Sequence, residues 1–301
     1  MSASYYSHGK LLITGEYMVL RGAKALAVPT RLGQTFEFEA HEIKELHWIA
    51  LDRSQKPWFT AIFSTADLNV ISYSNSDIAR RLQQLLQSVI ALNPIFKIQM
   101  SGTVTMQLEF DREWGLGSSS CLISSVARWS SINPYALLEK SFGGSGYDLA
   151  CATATSAVCF QRSGVNPKIE GIDFNPPFVH QLYLVYLNQK QNSQKEVNAF
   201  KNIATSSKTI EQMNALTAAA IRAENLETWN ALVTEHEDFM GALLQKKPVQ
   251  QVLFSDFNGS VKSLGAWGGD FVLASGEGDV ATYFRQQGFT TIFKYETLVL
   301  V

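Results

Sequence analysis

Cysteine is scarce in this chain: three residues among 301, Cys121, Cys151 and Cys159, with no C-x-x-C spacing. Such an odd, scattered set argues against a disulfide framework or a cysteine zinc site and fits a reducing compartment. No apolar run approaches the roughly 18 residues that span a bilayer. The opening MSASYYSHGK has no cationic start followed by an apolar stretch, so a cytoplasmic location without membrane attachment is expected. Charge of one sign is also lacking. Lys plus Arg total 25 against 27 Asp plus Glu, a net of −2, which disfavours a broad electrostatic grip on nucleic acid. A few cations focused on one small phosphorylated ligand remain compatible with that balance.

Several common active-site patterns are missing as well. The five histidines, His8, His41, His47, His180 and His236, show no metal-ligand spacing. There is no G-x-S-x-G and no G-x-x-x-x-G-K-[ST]. Kinase-type H-R-D and D-F-G sets are also absent. Hydrolase chemistry and the common nucleotide-binding folds therefore have no support.

What the chain does contain is a 46% apolar, 17% charged composition over a length of about two domains. The first half reads as strands feeding helices. Strands are expected at 10–14, around Phe36 and Phe38, around Trp48 and Leu51, and at 58–63. Helical spacing of Ile78, Leu82, Leu85, Val89 and Leu92 predicts a helix over 77–92, stopped by Asn93-Pro94. Alternation from Ile98 to Phe110 about Ser101-Gly102 predicts a hairpin. A helix over 118–130 opens directly behind Gly115-Leu116-Gly117, and a shorter one follows Asn133-Pro134. After the break at Gly143-Gly144-Ser145-Gly146 a strand at 157–161 leads into a polar stretch, 163–177, taken as the domain boundary. The expected domains are residues 1–165 and 178–301. In the second, a strand at 180–187, three helices within 193–245, and strands at 270–274 and 291–295 around a helix near 279–286 suggest an α+β sandwich.

Gly115-Leu116-Gly117-Ser118-Ser119-Ser120 is the most informative segment. Glycines let backbone approach a ligand closely, and a helix start behind them presents free N–H groups to an anion. The bland alternative is a glycine turn with a serine cap. Gly265-Ala266-Trp267-Gly268-Gly269-Asp270 is a second cluster poor in side chains. It suits close approach of two backbone segments, or of backbone to phosphate, or simply a loop. By themselves, Lys10 reads as a surface cation, Asp148 as a first-turn dipole partner and Glu139 as a surface acid.

Taken in order, these segments resemble the GHMP superfamily of small-molecule kinases. Ser7-His8-Gly9-Lys10-Leu11 with Gly15-Glu16-Tyr17 is similar to the family's first motif, and Gly115–Ser120 to its phosphate loop. Gly144-Ser145-Gly146-Tyr147-Asp148 is similar to the segment bearing the catalytic aspartate, and 262–270 to the third motif. Details lean toward mevalonate-pathway kinases: Tyr17, the Gly-Ser-Gly-Tyr-Asp form and Asp270 resemble phosphomevalonate kinases, whereas mevalonate kinases more often carry His at the Tyr17 position. Asn192-Ser193-Gln194-Lys195 is similar to a stretch those enzymes place near the acceptor. His8 stands where the family usually has Pro, and Trp267 where it has Gly. Thr153-Ala154-Thr155-Ser156 replaces a Gly-Gly pair.

The resemblance implies a two-domain α+β architecture. The N-terminal mixed α/β domain would contain a left-handed βαβ crossover, and the C-terminal domain would be a ferredoxin-like sandwich. It implies ATP and Mg²⁺ as cofactors, with Gly115, Leu116, Gly117, Ser118, Ser119, Ser120, Gly265, Gly268 and Gly269 at the nucleotide. Ser119 and Glu139 would hold the metal. Asp148 and Lys10 would be catalytic, Asp148 taking or orienting the acceptor's proton and Lys10 steadying the γ-phosphate. Glu16, Tyr17, Gly146, Ser193 and Lys195 would lie at the acceptor, expected to be a mevalonate-pathway intermediate. Other small hydroxylated metabolites or sugars, or a ligand-binding sensor that has lost turnover, are the alternatives. A monomer or homodimer is expected.

Overall fold

The computed structural model describes residues 2–191 and 193–300. In chain order the first half comprises β1 (Ser2–Leu12), β2 (Lys24–Ala40), β3 (Glu45–Leu51), β4 (Pro57–Ser64), β5 (Val70–Tyr73), α1 (Ser76–Leu92), β6 (Gly102–Leu108), α2 (Ser118–Trp129), α3 (Pro134–Lys140), α4 (Tyr147–Thr153), β7 (Ala157–Gln161) and β8 (Lys168–Ile172). The second comprises β9 (Leu182–Tyr186), α5 (Ser193–Phe200), α6 (Ser207–Ile221), α7 (Leu226–Leu244), α8 (Val249–Leu253), β10 (Gly259–Ser263), β11 (Phe271–Gly276), α9 (Val280–Gln286), β12 (Ile292–Lys294) and α10 (Tyr295–Leu298).

The strands form two sheets. The larger runs β5-β4-β3-β6-β2-β7-β8, with β1 also paired to β2. Long β2 is its spine: it pairs antiparallel with β1, β6 and β7. Strands β3 and β6 lie parallel, so the chain between them, which carries β4, β5 and α1, must cross over a sheet face. The smaller sheet is antiparallel throughout, in the order β10-β11-β9-β12. With helices between β9 and β10 and between β11 and β12, that order is the ferredoxin-like arrangement.

Local chemistry explains the elements that hold the site. The Asn75 side chain caps α1 by accepting from the Asp77 and Ile78 amides, and Leu82, Leu85, Leu86 and Val89 bury its apolar stripe. Helix α2 buries Cys121, Ile123, Val126, Ala127 and Trp129. These residues, apart from Cys121, join Phe36, Phe38, Trp48 and Phe63 in one core beneath the large sheet. A second core lies where the two sheets meet, with Leu11, Val28, Leu108 and Leu116 against Leu184, Phe271 and Leu273. Among the described residues, no helix is long and apolar enough to cross a membrane.

One expectation needs correction, and several elements were not foreseen. The predicted hairpin about Ser101-Gly102 has only one strand, β6; Pro94–Gln99 is a short 3-10 segment. Ile98, the first residue of the predicted alternation, is 81% exposed there, whereas Met100 is buried without belonging to a strand. The polar stretch 163–177 contains β8, an exposed strand paired to β7. Strands β5 and β10 were not foreseen. The C-terminal tail also returns to the first half, where the Leu300 amide donates to Pro29 O (3.0 Å).

Candidate active site

Leu116 is fully buried in the core between the sheets. Anchoring it there while reversing the chain on both sides requires Gly115 and Gly117, which have φ of +67° and +91°. Strand β1 grips the loop from beneath. The Lys10 amide donates to Leu116 O (3.0 Å) and Lys10 Nζ to Gly115 O (2.9 Å). A Cβ at position 117 would press on the Lys10 stem at 3.1–3.2 Å. Behind the loop, the Ser120 and Cys121 amides donate to Gly117 O (3.0 and 3.1 Å). The Ser118 and Ser119 amides, in the first turn of α2, have no acceptor among the described residues. Ser119 is exposed and Ser118 half-buried. The loop therefore offers free N–H groups at the positive end of a twelve-residue helix, suited to an anion.

Asp148 lies in the first turn of α4, which Gly146 opens with φ +89°. Its Oδ2 accepts from Ser120 Oγ, which ties α2, behind the glycine loop, to the carboxylate. Lys10 Nζ lies 5.8 Å from the centre of the Tyr147 ring. Burial would push the Lys10 ammonium down, but Tyr147, Asp148 and Asp270 beside it outweigh that, and the net direction is up. Lys10 is therefore held as a cation. Burial pushes the Tyr147 hydroxyl up to about 12, with Lys10 opposing and Asp148 reinforcing the rise. Lys10, Asp148 and the Gly115–Ser120 loop thus meet in one place.

The third motif joins them from the other domain. The Asp270 carboxylate sits against Gly115, where a Cβ would fall 2.5 Å from its Cγ. Gly269 and Gly268 allow a different close approach: Cβ atoms there would meet Gln189 O at 2.6 Å and Gln191 Nε2 at 2.7 Å. Of the alternatives open in the sequence, these two positions serve contact between protein segments. Gly265 has open space at its Cβ position. The Trp267 ring turns away from the loop and is buried among Tyr17, Met18, Phe200, Met213 and Met240.

Glu16 and Tyr17 are placed differently from the expectation of direct acceptor contact. Glu16 is fully buried and accepts from Lys262 Nζ. His236 Nε2 lies 3.0 Å from its Oε2, without regular hydrogen-bond geometry. Lys262 Nζ also donates to Ser263 O (2.9 Å) and lies 3.8 Å from Glu237. Glu237 in turn accepts from the Ser263 amide and hydroxyl (3.2 and 3.1 Å). Burial opposes ionisation of Glu16, but Lys262 and His236 hold its carboxyl below the usual range. The Tyr17 hydroxyl accepts from the Trp267 amide (2.9 Å), and its ring lies 5.3 Å from that of Phe200. Both residues fasten the first motif to the second domain.

The remaining candidates are less closely engaged. Glu139 is exposed on α3 and, among the described residues, forms no hydrogen bond with Ser119 or Asp148. No cluster of three or more His, Cys, Asp or Glu suited to a metal occurs among the described residues. Lys195 is exposed on α5; the Ser193 side chain lies outside the described residues. Sequence reasoning missed the buried group of His236, Glu237 and Lys262. It also missed the close packing of Asp270 on Gly115, whose only sequence signal was an acid directly after the glycines.

A scan against protein-family models finds no match, and a search of curated protein sequences finds none either. Solved structures do match over nearly the whole chain. Mevalonate kinase from Methanococcus jannaschii aligns with a TM-score of 0.69 at 15% identity, covering 97% of both chains. Phosphomevalonate kinase from Streptococcus pneumoniae, in complex with phosphomevalonate and AMPPNP, gives 0.70 at 14%, covering 97% of this chain and 99% of the other. Lactococcus lactis galactokinase, complexed with galactose, gives 0.67 at 10%, covering 99% and 93%. Two sheets in this order, with a glycine loop, a lysine and an aspartate at their junction, make this the two-domain fold of the GHMP kinases.

Proposed function

We propose that the chain is an ATP-dependent kinase that transfers a phosphoryl group to a small acidic metabolite, with phosphomevalonate or mevalonate the leading acceptors. The observation that carries this reading is the meeting of Lys10, the Gly115–Ser120 loop and Asp148 across more than a hundred residues of sequence. Phosphoryl transfer asks a protein mainly to position reactants and to stabilise charge on the transferred group. The open amides of Ser118 and Ser119 suit phosphate oxygens, and Lys10 adds a fixed positive charge beside them.

Asp148, held by Ser120, would accept or orient the proton of the acceptor's hydroxyl or phosphate. Mg²⁺, when bound with the nucleotide, would neutralise phosphate charge; the exposed Ser119 hydroxyl fits as one of its ligands. Glu139 remains the candidate carboxylate. It lies one helical turn beyond Tyr135, whose ring packs against Gly146 and senses the Asp148 charge. Lys195, exposed on α5, remains the candidate cation for an acidic acceptor.

The experiment is ADP release measured in parallel with mevalonate, phosphomevalonate, homoserine and simple sugars. Turnover with an isoprenoid precursor supports the pathway reading. Turnover with a sugar alone would move the acceptor, and no acceptor-dependent release at all would remove the kinase.

A further inference from the structure

Strand β8 ends the large sheet on one side, and among the described residues no strand covers its outer edge. It pairs with β7 in unbroken register over all five residues, from Gln161↔Lys168 to Ala157↔Ile172. The opposite end of the sheet differs. There β5 pairs with β4 through an irregularity between Ile62 and Phe63, and such breaks turn an edge away from further pairing. A regular edge without one is a template for another strand.

The side chains of β8 say which strand. Its sequence is Lys168-Ile169-Glu170-Gly171-Ile172. Ile169 lies opposite Phe160 and so extends outward the row that Phe160 and Val158 bury beside Ala150 and Cys151 of α4. Ile169 is nevertheless 46% exposed, so the row ends without a cover. Lys168 and Glu170, both exposed, lie on the other face, opposite Gln161 and Cys159.

Charges on an edge strand ordinarily deter pairing. Opposite charges two residues apart make an exception for one partner, a second β8. In an antiparallel pair centred on Ile169, Lys168 of each copy faces Glu170 of the other on one face, and Ile169 meets Ile169 on the other. Both charge pairs then attract across the strands. The same patch serves both copies, as a two-fold axis requires. With a net charge of only −2 per chain, general repulsion between copies is small.

We propose that two copies of the chain associate through β8, continuing the large sheet across a two-fold axis in this register. The proposal does not depend on the kinase reading.

The test is sedimentation equilibrium of the full chain up to about 100 μM, with charge reversals at exposed positions that leave the fold intact by circular dichroism. Wild type should be a dimer. Lys168→Glu and Glu170→Lys each set two like-charge pairs across the strands, and each should weaken the dimer about tenfold or more. The double variant Lys168→Glu/Glu170→Lys should recover wild-type affinity, and an equimolar mixture of the two single variants should form a heterodimer. A wild-type monomer at the highest concentration would overturn the proposal and leave the edge to a different partner. A dimer that tolerates both single reversals, or that the double variant fails to recover, would also overturn it.

Discussion

Lys262 and Glu16, 246 positions apart in sequence, form an ion pair at the junction of the two domains, neither side chain more than 1% exposed. One partner follows the first strand and the other lies on β10, three residues before Gly265. The pair therefore joins two of the motifs that frame the site. Removing one partner of a buried pair leaves an uncompensated charge, at a cost of about 3–5 kcal/mol. Lys262→Met should lose stability on that scale in urea unfolding. Adding Glu16→Gln should recover part of the loss, because the stranded carboxylate is gone. A Lys262→Met protein as stable as wild type would show that the pair contributes nothing.

The same cluster predicts a pH dependence. Burial pushes the Glu237 carboxyl up to about 8; Lys262 pulls it down and Glu16 adds to the rise. The folded chain then keeps a proton that the unfolded chain releases near pH 4.5. This contribution to stability is complete below pH 4.5, declines as pH rises, and is lost by about pH 8. Glu237→Gln removes that slope. Burial pushes neighbouring His236 down, so its contribution is lost as pH falls below 6.5, in both proteins alike. The variant's unfolding free energy relative to wild type should therefore climb between pH 5 and pH 8, by about a few kcal/mol. A constant difference across that range would mean that Glu237 is ionised throughout.

Trp267 stands where the resembling family has glycine, and the structure turns its ring into the core shared by Tyr17, Phe200 and Met240. Trp267→Ala should cost about 3–5 kcal/mol of stability by opening a cavity. Chemical denaturation measures this directly. A loss below about 1 kcal/mol would place the ring outside the packed core.

Much of the frame was legible in sequence because it depends on local signals. The spacing from Ile78 to Leu92 and the Asn93-Pro94 stop marked α1, and the small residues after Gly117 marked α2. Failures came where local pattern and burial part company. Ile98 is apolar yet exposed and Met100 is buried outside any strand, which together produced a false hairpin, and β8 is an exposed edge that reads as loop. Within the site, Gly115, Gly117, Lys10 and Asp148 could be named from motif order. The fastening of Glu16 to Lys262 could not, because the first motif alone gives no hint of a partner 246 residues away. Nor could the sequence say which way Trp267 points.

The central claim is that Lys10, the phosphate loop and Asp148 form one phosphoryl-transfer site. Its most direct test is acceptor-dependent ADP release by Asp148→Asn beside AMPPNP binding by the same variant. The account predicts that turnover falls about 10²–10⁴-fold, as expected when a general base is removed, while nucleotide affinity stays within about threefold of wild type. Wild-type turnover in Asp148→Asn would contradict it.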